Sequence, residues 1–218
     1  MDPHASKKHL LNQLSKEEAL KRLHAEDFKR VTLSFYRYVM IEDPSTLRDE
    51  LFQEWNKLQV FGRIYVAHEG INAQLSVPEY LWEKFVAKTH KRKELENIPL
   101  KIAVEDDGKS FFKLMIKVRE QIVADGLPID EYDVTNVGKH LSAEEWNKAI
   151  EEGAIIVDMR NHYESEIGHF EGAICPQSET FKEELPEVKD MLEGKKGKKV
   201  LLYCTGGIRC EKTSAYLK

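Results

Sequence analysis

Apolar side chains recur along this chain with two alternating periods, and the switches between them mark its elements. Val31 to Val39 is rich in β-branched and aromatic residues and reads as a strand. Asp43-Pro44 opens a helical pattern that places Leu47, Leu51, Trp55 and Leu58 on one face. Residues 61–67 (FGRIYVA) and 71–77 (INAQLSV) read as two strands joined by His68-Glu69-Gly70, a hairpin signal. A helix is expected over Glu79 to His90, with Leu81, Phe85 and Val86 inward, followed by strands over Leu100 to Val104 and Phe111 to Val118. Upstream, Ser15 and Glu18 have the spacing of a capping box, so the segment up to Arg30 reads as a helical lead-in.

The order β-α-β-β-α-β over residues 31–120 is the split βαβ, or ferredoxin-like, arrangement. Residues 121–140 lack periodicity and carry Gly126, Pro128 and Gly138, so they are expected to form a linker. A new unit then begins, at 141–218. Ser142 and Glu145 repeat the capping-box spacing ahead of a helix carrying Trp146 and Ile150. Ile155 to Val157 and Val200 to Tyr203 are short, wholly apolar runs, as expected of strands covered on both faces. Such strands alternating with helices imply a parallel sheet and an α/β fold. The chain stops about two helical turns beyond Cys204, before the strand that such a domain would add next, so it is expected to be C-terminally incomplete.

Composition narrows the picture without deciding it. The chain has 218 residues with 33 basic and 38 acidic side chains, a net charge of −5, which excludes a basic nucleic-acid coat. Three cysteines are too few for a disulfide framework and point to a reducing compartment. No apolar run approaches the ~20 residues needed to span a bilayer, and no signal-peptide stretch opens the chain. The expected location is the cytoplasm, without membrane association.

The chemistry concentrates in Cys204-Thr205-Gly206-Gly207-Ile208-Arg209-Cys210, between an apolar strand and a helical run. Open α/β sheets place ligand sites at such strand ends. Two glycines let backbone N–H groups converge, and the next helix adds its positive end, so an anion or thiolate is stabilised there. These surroundings lower a cysteine pKa, and Arg209 adds a permanent cation. Cys204 is the candidate nucleophile. Thr205, Gly206, Gly207 and Ile208 are the candidate anion-holding loop. Cys210 is either a resolving thiol or a packing residue. Cys175, Cys204 and Cys210 lack paired C-x-x-C spacing, so no metal site is expected. A loop phosphatase is disfavoured, since the C-x4-R loop is one residue shorter than the C-x5-R phosphate cradle. Cys175, before Pro176, reads as structural, and His162 is a better proton carrier than His169, which reads as a turn residue.

These residues resemble a family. The C-x-x-x-x-R loop resembles that of the rhodaneses, and VDMRNHYESEIGHFEGA (157–173) with CTGGIRCEKTSAY (204–216) is similar to the tRNA uridine hydroxylases. The resemblance covers roughly residues 30–218 and implies a ferredoxin-like domain preceding a rhodanese-like one. It also implies oxygen-dependent formation of 5-hydroxyuridine at the tRNA wobble position. Cys204 would be the catalytic cysteine, Cys210 its companion, molecular oxygen the co-substrate and tRNA the partner, with no other cofactor evident. Cys204 would add to C6 of the uracil, and oxygen, or an oxidised sulfur on Cys204, would deliver the hydroxyl to C5. Asp158, Arg160 and Glu164 would brace the domain through ion pairs. His68-Glu69-Gly70-Ile71-Asn72 is characteristic of the family, with a substrate contact as one role. The alternatives are a sulfurtransferase carrying a persulfide on Cys204, and a non-catalytic RNA- or protein-binding module.

Strand alternation also offers a nucleic-acid surface. Tyr36 and Tyr38 share one side of the first strand. Arg63 alternates with Tyr65, and Lys113, Lys117 and Arg119 alternate with apolar residues. On one face of a sheet they would hold phosphates and stack on unpaired bases. Lys88, Lys91, Arg92 and Lys93 extend this basic stretch: residues 88–119 carry nine basic and five acidic side chains.

Overall fold

The computed structural model describes Leu10, residues 12–128 and residues 130–218; the start of the expected lead-in, at residues 1–9 and 11, lies outside them. The chain divides into two compact units, one up to Ile122 and one from Val123.

In the first unit, α1 (Lys16–His24) starts at the expected capping box: Ser15 Oγ accepts from Glu18 N–H and Glu18 Oε2 accepts from Ser15 N–H, at 3.2 and 2.9 Å. Strand β1 (Arg30–Tyr38) leads to α2 (Pro44–Lys57), which Asp43 caps by accepting from the Ser45 and Thr46 amides. Then come the hairpin β2 (Phe61–Ala67) and β3 (Gly70–Pro78), helix α3 (Trp82–His90), β4 (Lys101–Ile102) and β5 (Leu114–Val118). The sheet order is β4-β1-β3-β2-β5. Its first four strands are antiparallel neighbours in the order 4-1-3-2 of the split βαβ arrangement, and β5 adds parallel to β2.

The helices cover one face of this sheet. Leu47, Leu51, Trp55 and Leu58 pack on Leu33, Phe35, Ile64, Ala73 and Ile116, as the periodicity predicts. The last two strands are shorter than expected. The β4 pairing ends as the chain turns away at Val104, 87% exposed, and Glu105, at φ 59°. Phe111 to Lys113 lie ahead of β5, in an approach whose Lys113 carbonyl accepts from the Gly62 amide at 2.9 Å.

The His68-Glu69-Gly70 turn has a structural task. The buried Glu69 carboxylate accepts from the Ile122 amide at 2.7 Å, tying the end of this unit to the hairpin. Gly70 sits at φ 149°, where a Cβ would lie 2.0 Å from the Arg37 carbonyl oxygen, so only glycine fits.

In the second unit, α4 (Ala143–Glu151) begins at the second expected capping box. It is followed by β6 (Ile155–Asp158), α5 (His162–Ile167), α6 (Phe181–Met191), β7 (Val200–Tyr203) and α7 (Ile208–Tyr216). Strands β6 and β7 pair in parallel, and Ile174 bridges to Val157 on the other edge of β6. Val157 packs with Phe181, Leu185 and Val188 of α6, while Ile156 and Leu201 pack with Ala149 of α4 on the opposite face. That two-sided covering is why both strands read as continuous apolar runs.

The stretch expected as a linker, 121–140, is largely built into this unit. Val123 and Leu127 pack against the α6 core, and Asp125 forms a fully buried ion pair with Lys212 of α7 at 2.8 Å. Tyr132 Oη donates to Asp125 and Gly138 N–H to Ser214. Its glycines and lack of periodicity reflect irregular backbone held by side chains rather than free chain.

Candidate active site

Cys204 follows β7 directly, and the chain then turns through Thr205 and Gly206 into α7. Gly207 caps α7 at φ 89°, the left-handed region that glycine enters without strain. This bend aims the Gly207 amide at Cys204 Sγ, 3.0 Å away. The Cys210 thiol donates to the same sulfur, as do the amides of Cys210 and Arg209. The Cys210 thiol, these amides and the Arg209 charge outweigh burial and hold Cys204 down at about 5, so it is a thiolate at neutral pH. Donating to that thiolate, together with burial, drives the Cys210 thiol far up from its ordinary value. The pair shares one charge, and Cys204 carries it.

Arg209 is held in turn by α5. Its Nη1 donates to Glu164 Oε2 at 2.9 Å and to Asn161 Oδ1 at 3.1 Å. Thr205 donates to Glu164 Oε1 at 2.8 Å. Burial pushes the Glu164 carboxyl up, but the bonds from Arg209 and Thr205 win and leave it below its ordinary value. Glu164 thus forms the expected ion pair, with Arg209, and through it and Thr205 positions the loop. Asp158 and Arg160 do form a brace. Arg160 donates to both Asp158 oxygens and to the Gly168 carbonyl, and Tyr203 Oη donates to Asp158 at 2.7 Å. Burial, then that bond, pushes Tyr203 up to about 12.

Beside the sulfur lies a cleft of about 480 Å³ lined by Arg160, Gly168, His169, Phe170, Tyr203, Cys204 and Thr205. The Phe170 and Tyr203 rings meet edge-to-face at 4.9 Å, with Trp146 behind them. An aromatic wall next to an ionised nucleophile suits a flat, electron-poor ring.

Two family models match the chain: a UPF0176 acylphosphatase-like domain over residues 30–122 and a rhodanese-like domain over residues 142–218. Curated relatives match nearly the whole chain. The tRNA uridine(34) hydroxylase of Leptospira interrogans serovar Lai is 58% identical over 213 residues, which are 97% of this chain and 58% of the relative. Those of Yersinia pestis strain Pestoides F and Yersinia pseudotuberculosis strain IP 31758 are each 51% identical over 210 residues, 95% of this chain and 59% of the relative. The chain is similar to these proteins over almost all of its length. It spans somewhat under three fifths of the length of these relatives.

In the second unit, the structure gathers Cys204, Thr205, Gly206, Gly207, Ile208, Arg209 and Cys210 into one loop and helix start. His162, the expected proton carrier, instead pairs with Glu166 at 3.1 Å and does not line the cleft. His169, expected as a turn residue, does line it. Cys175 is set apart, its thiol pushed up chiefly by burial.

Glu184 was not foreseen. It is 1% exposed, neither carboxyl oxygen has a hydrogen-bond partner among the described residues, and burial raises it to about 8. Arg209 opposes that rise, while Asp158, Cys204 and Glu164 reinforce it. A neutral carboxylic acid therefore lies within electrostatic reach of the loop. A signal was present: residues 181, 184, 185 and 188 form the i, i+3, i+4, i+7 stripe of the inward face of α6.

In the first unit, strand register places Tyr36, Asn72, Tyr65 and Lys117 in one cross-strand row, and Ser34, Gln74, Arg63 and Met115 in the next. These alternate with the buried Phe35, Ala73, Ile64 and Ile116, so they share the face away from the helices. Lys101 Nζ sits 5.2 Å from the Tyr36 ring centre, and the Arg119 guanidinium 5.6 Å from that of Tyr65. Tyr38 meets the Tyr36 ring edge-to-face at 6.2 Å. Lys113 precedes β5, with its Nζ 5.6 Å from the Phe112 ring centre, and lines a groove with Phe52 and Lys57 of α2.

Proposed function

We propose that this chain carries the catalytic cysteine of a tRNA-modifying enzyme that hydroxylates the wobble uridine at C5, with molecular oxygen as co-substrate. The observation that carries the reading is an ionised Cys204 at the wall of an aromatic cleft. The names of the relatives favour hydroxylation over rhodanese-type sulfur transfer.

The uracil ring enters the cleft against Phe170 and Tyr203. An anticodon-loop base has to leave its stack to do so, at a cost of a few kcal/mol. Cys204 Sγ adds to C6, and the C5=C6 electron pair moves into the ring as an enolate. C5, now electron-rich, takes up O2 and a proton as a hydroperoxide, and two electrons and two protons from an external thiol reductant break its O–O bond, leaving the C5 hydroxyl and releasing the second oxygen as water. Loss of the C5 proton then restores the double bond and expels the thiolate. Arg209 and the amide ring hold the sulfur as an anion before attack and after release.

The open sheet face of the first unit is proposed to hold the RNA. Arg63, Lys117, Lys101 and Arg119 supply cations, and Tyr36, Tyr38 and Tyr65 supply stacking faces. No helix among the described residues is long and apolar enough to cross a membrane. A tRNA substrate supports a cytoplasmic location.

The test is nucleoside analysis of tRNA from cells lacking the gene, complemented with wild type or Cys204→Ser, with oxygen varied. 5-Hydroxyuridine is expected to return with wild type only and to fall as oxygen is withdrawn. Its formation by Cys204→Ser overturns the assignment. Thiocyanate formation from thiosulfate and cyanide, without any change in tRNA, favours sulfur transfer instead.

A further inference from the structure

The reaction proposed above needs a base as well as a nucleophile, because the C5 hydrogen must leave before Cys204 can be released. We propose that His169 is that general base and accepts the C5 proton at Nε2. The inference rests on the hydroxylase reading and adds a catalytic residue to it.

The geometry defines the tautomer. His169 Nδ1 lies 3.0 Å from the Ser165 carbonyl oxygen, which can only accept, so Nδ1 carries the ring proton. In the neutral ring Nε2 is left with its lone pair, and no other described group bonds it. The backbone on both sides is fixed. Arg160 donates to the carbonyl of Gly168, and the Phe170 amide donates to Tyr203 Oη at 3.3 Å. Ser165 is itself buried, with its hydroxyl on the His162 carbonyl at 2.8 Å. The imidazole is thus held in the cleft wall by bonds that leave one nitrogen available.

The other side chains lining the cleft are unsuited. Arg160 is a cation committed to Asp158, and Thr205 donates to Glu164. Tyr203 keeps its phenolic proton on Asp158, and Cys204 is the nucleophile. Glycine and phenylalanine have no base to offer.

The step balances without a redox partner. The C5–H bond breaks and its proton goes to His169 Nε2. Its electron pair forms the C5=C6 bond, the C6–S bond breaks, and that pair returns to Cys204 as thiolate. Water then takes the proton from the imidazolium.

The experiment compares wild-type full-length protein with His169→Asn and His169→Ala on tRNA under oxygen. Asn keeps a donor for the Ser165 carbonyl but no base. Product formation is expected to fall at least ~100-fold in both, as for loss of a general base. A covalent Cys204–RNA adduct is expected to accumulate on denaturing gels, and 5-deuterated uridine to slow the residual turnover further. Added imidazole is expected to restore His169→Ala in part. Wild-type rates in His169→Asn overturn the proposal, as does loss of product with neither adduct nor imidazole rescue. Those results leave the hydroxylase reading standing so long as wild type makes product and Cys204→Ser does not. A wild type that makes no product overturns both.

Discussion

Glu184 offers a quantitative test because its burial has a calculable consequence. Its carboxyl is raised from 4.5 to about 8 in the folded protein, chiefly by burial. The folded state therefore holds the proton more tightly than the unfolded chain. The contribution is complete below pH 4.5 and is lost as pH rises through 8. Between those values stability falls by ~1.4 kcal/mol per pH unit from this group alone. The loss reaches ~3 kcal/mol at pH 7 and ~5 kcal/mol once the group is ionised in both states. Glu184→Gln keeps the shape and removes the titration. The assay is guanidinium denaturation of both proteins from pH 6 to 8, followed by circular dichroism. The stability of Glu184→Gln relative to wild type is expected to rise by ~2 kcal/mol across that range, other titrations cancelling in the difference. A constant difference refutes the reasoning and means that the carboxyl is hydrated or paired in solution. An acid kept at such a cost near a thiolate is what functional sites tolerate and structural cores avoid.

The remaining predictions concern the thiol pair and the RNA face. Cys210→Ala removes the donor that most lowers Cys204 and is expected to raise its pKa by one unit or more, a hydrogen bond to a charge contributing ~1.5–3 kcal/mol, as read by thiolate absorbance against pH. An unchanged titration shows that the amides and Arg209 suffice. Reversing Arg63 and Lys117 to Glu is expected to weaken tRNA binding and flatten its salt dependence, by ~0.7 in log–log slope for each phosphate no longer neutralised. Lys113→Glu, on the α2-side groove, is expected to do less; equal effects of the two changes contradict the open-face assignment.

What was legible in the sequence was local. Ser15-Glu18 and Ser142-Glu145 announced their helices because a capping box is complete within four residues. The face of α2 followed from its period, and the active loop from one strand, two glycines and a cysteine. Long-range partners were not legible. Residues 123–138 look like a linker until Lys212, 87 residues beyond Asp125, is seen to pair with it. Lys113 alternates correctly with Leu114 and Ile116, yet β5 starts only at Leu114, so alternation was extended past the element that enforces it. His169 carries no local sign of its role, since it follows α5 whereas Cys204 reaches the same cleft from the end of β7, 35 residues later in the chain. Glu184 was legible in principle, because a carboxylate on the apolar stripe of α6 breaks the pattern.

The central claim is that Cys204 is an ionised and reachable nucleophile, and its rate of alkylation against pH tests this most directly. With iodoacetamide and mass spectrometry of the Cys204 peptide, half-maximal reactivity is expected near pH 5, with a plateau from pH 6 upward. A rate that keeps climbing toward the ordinary thiol value of 9.0, or a sulfur that reacts only after unfolding, contradicts the account.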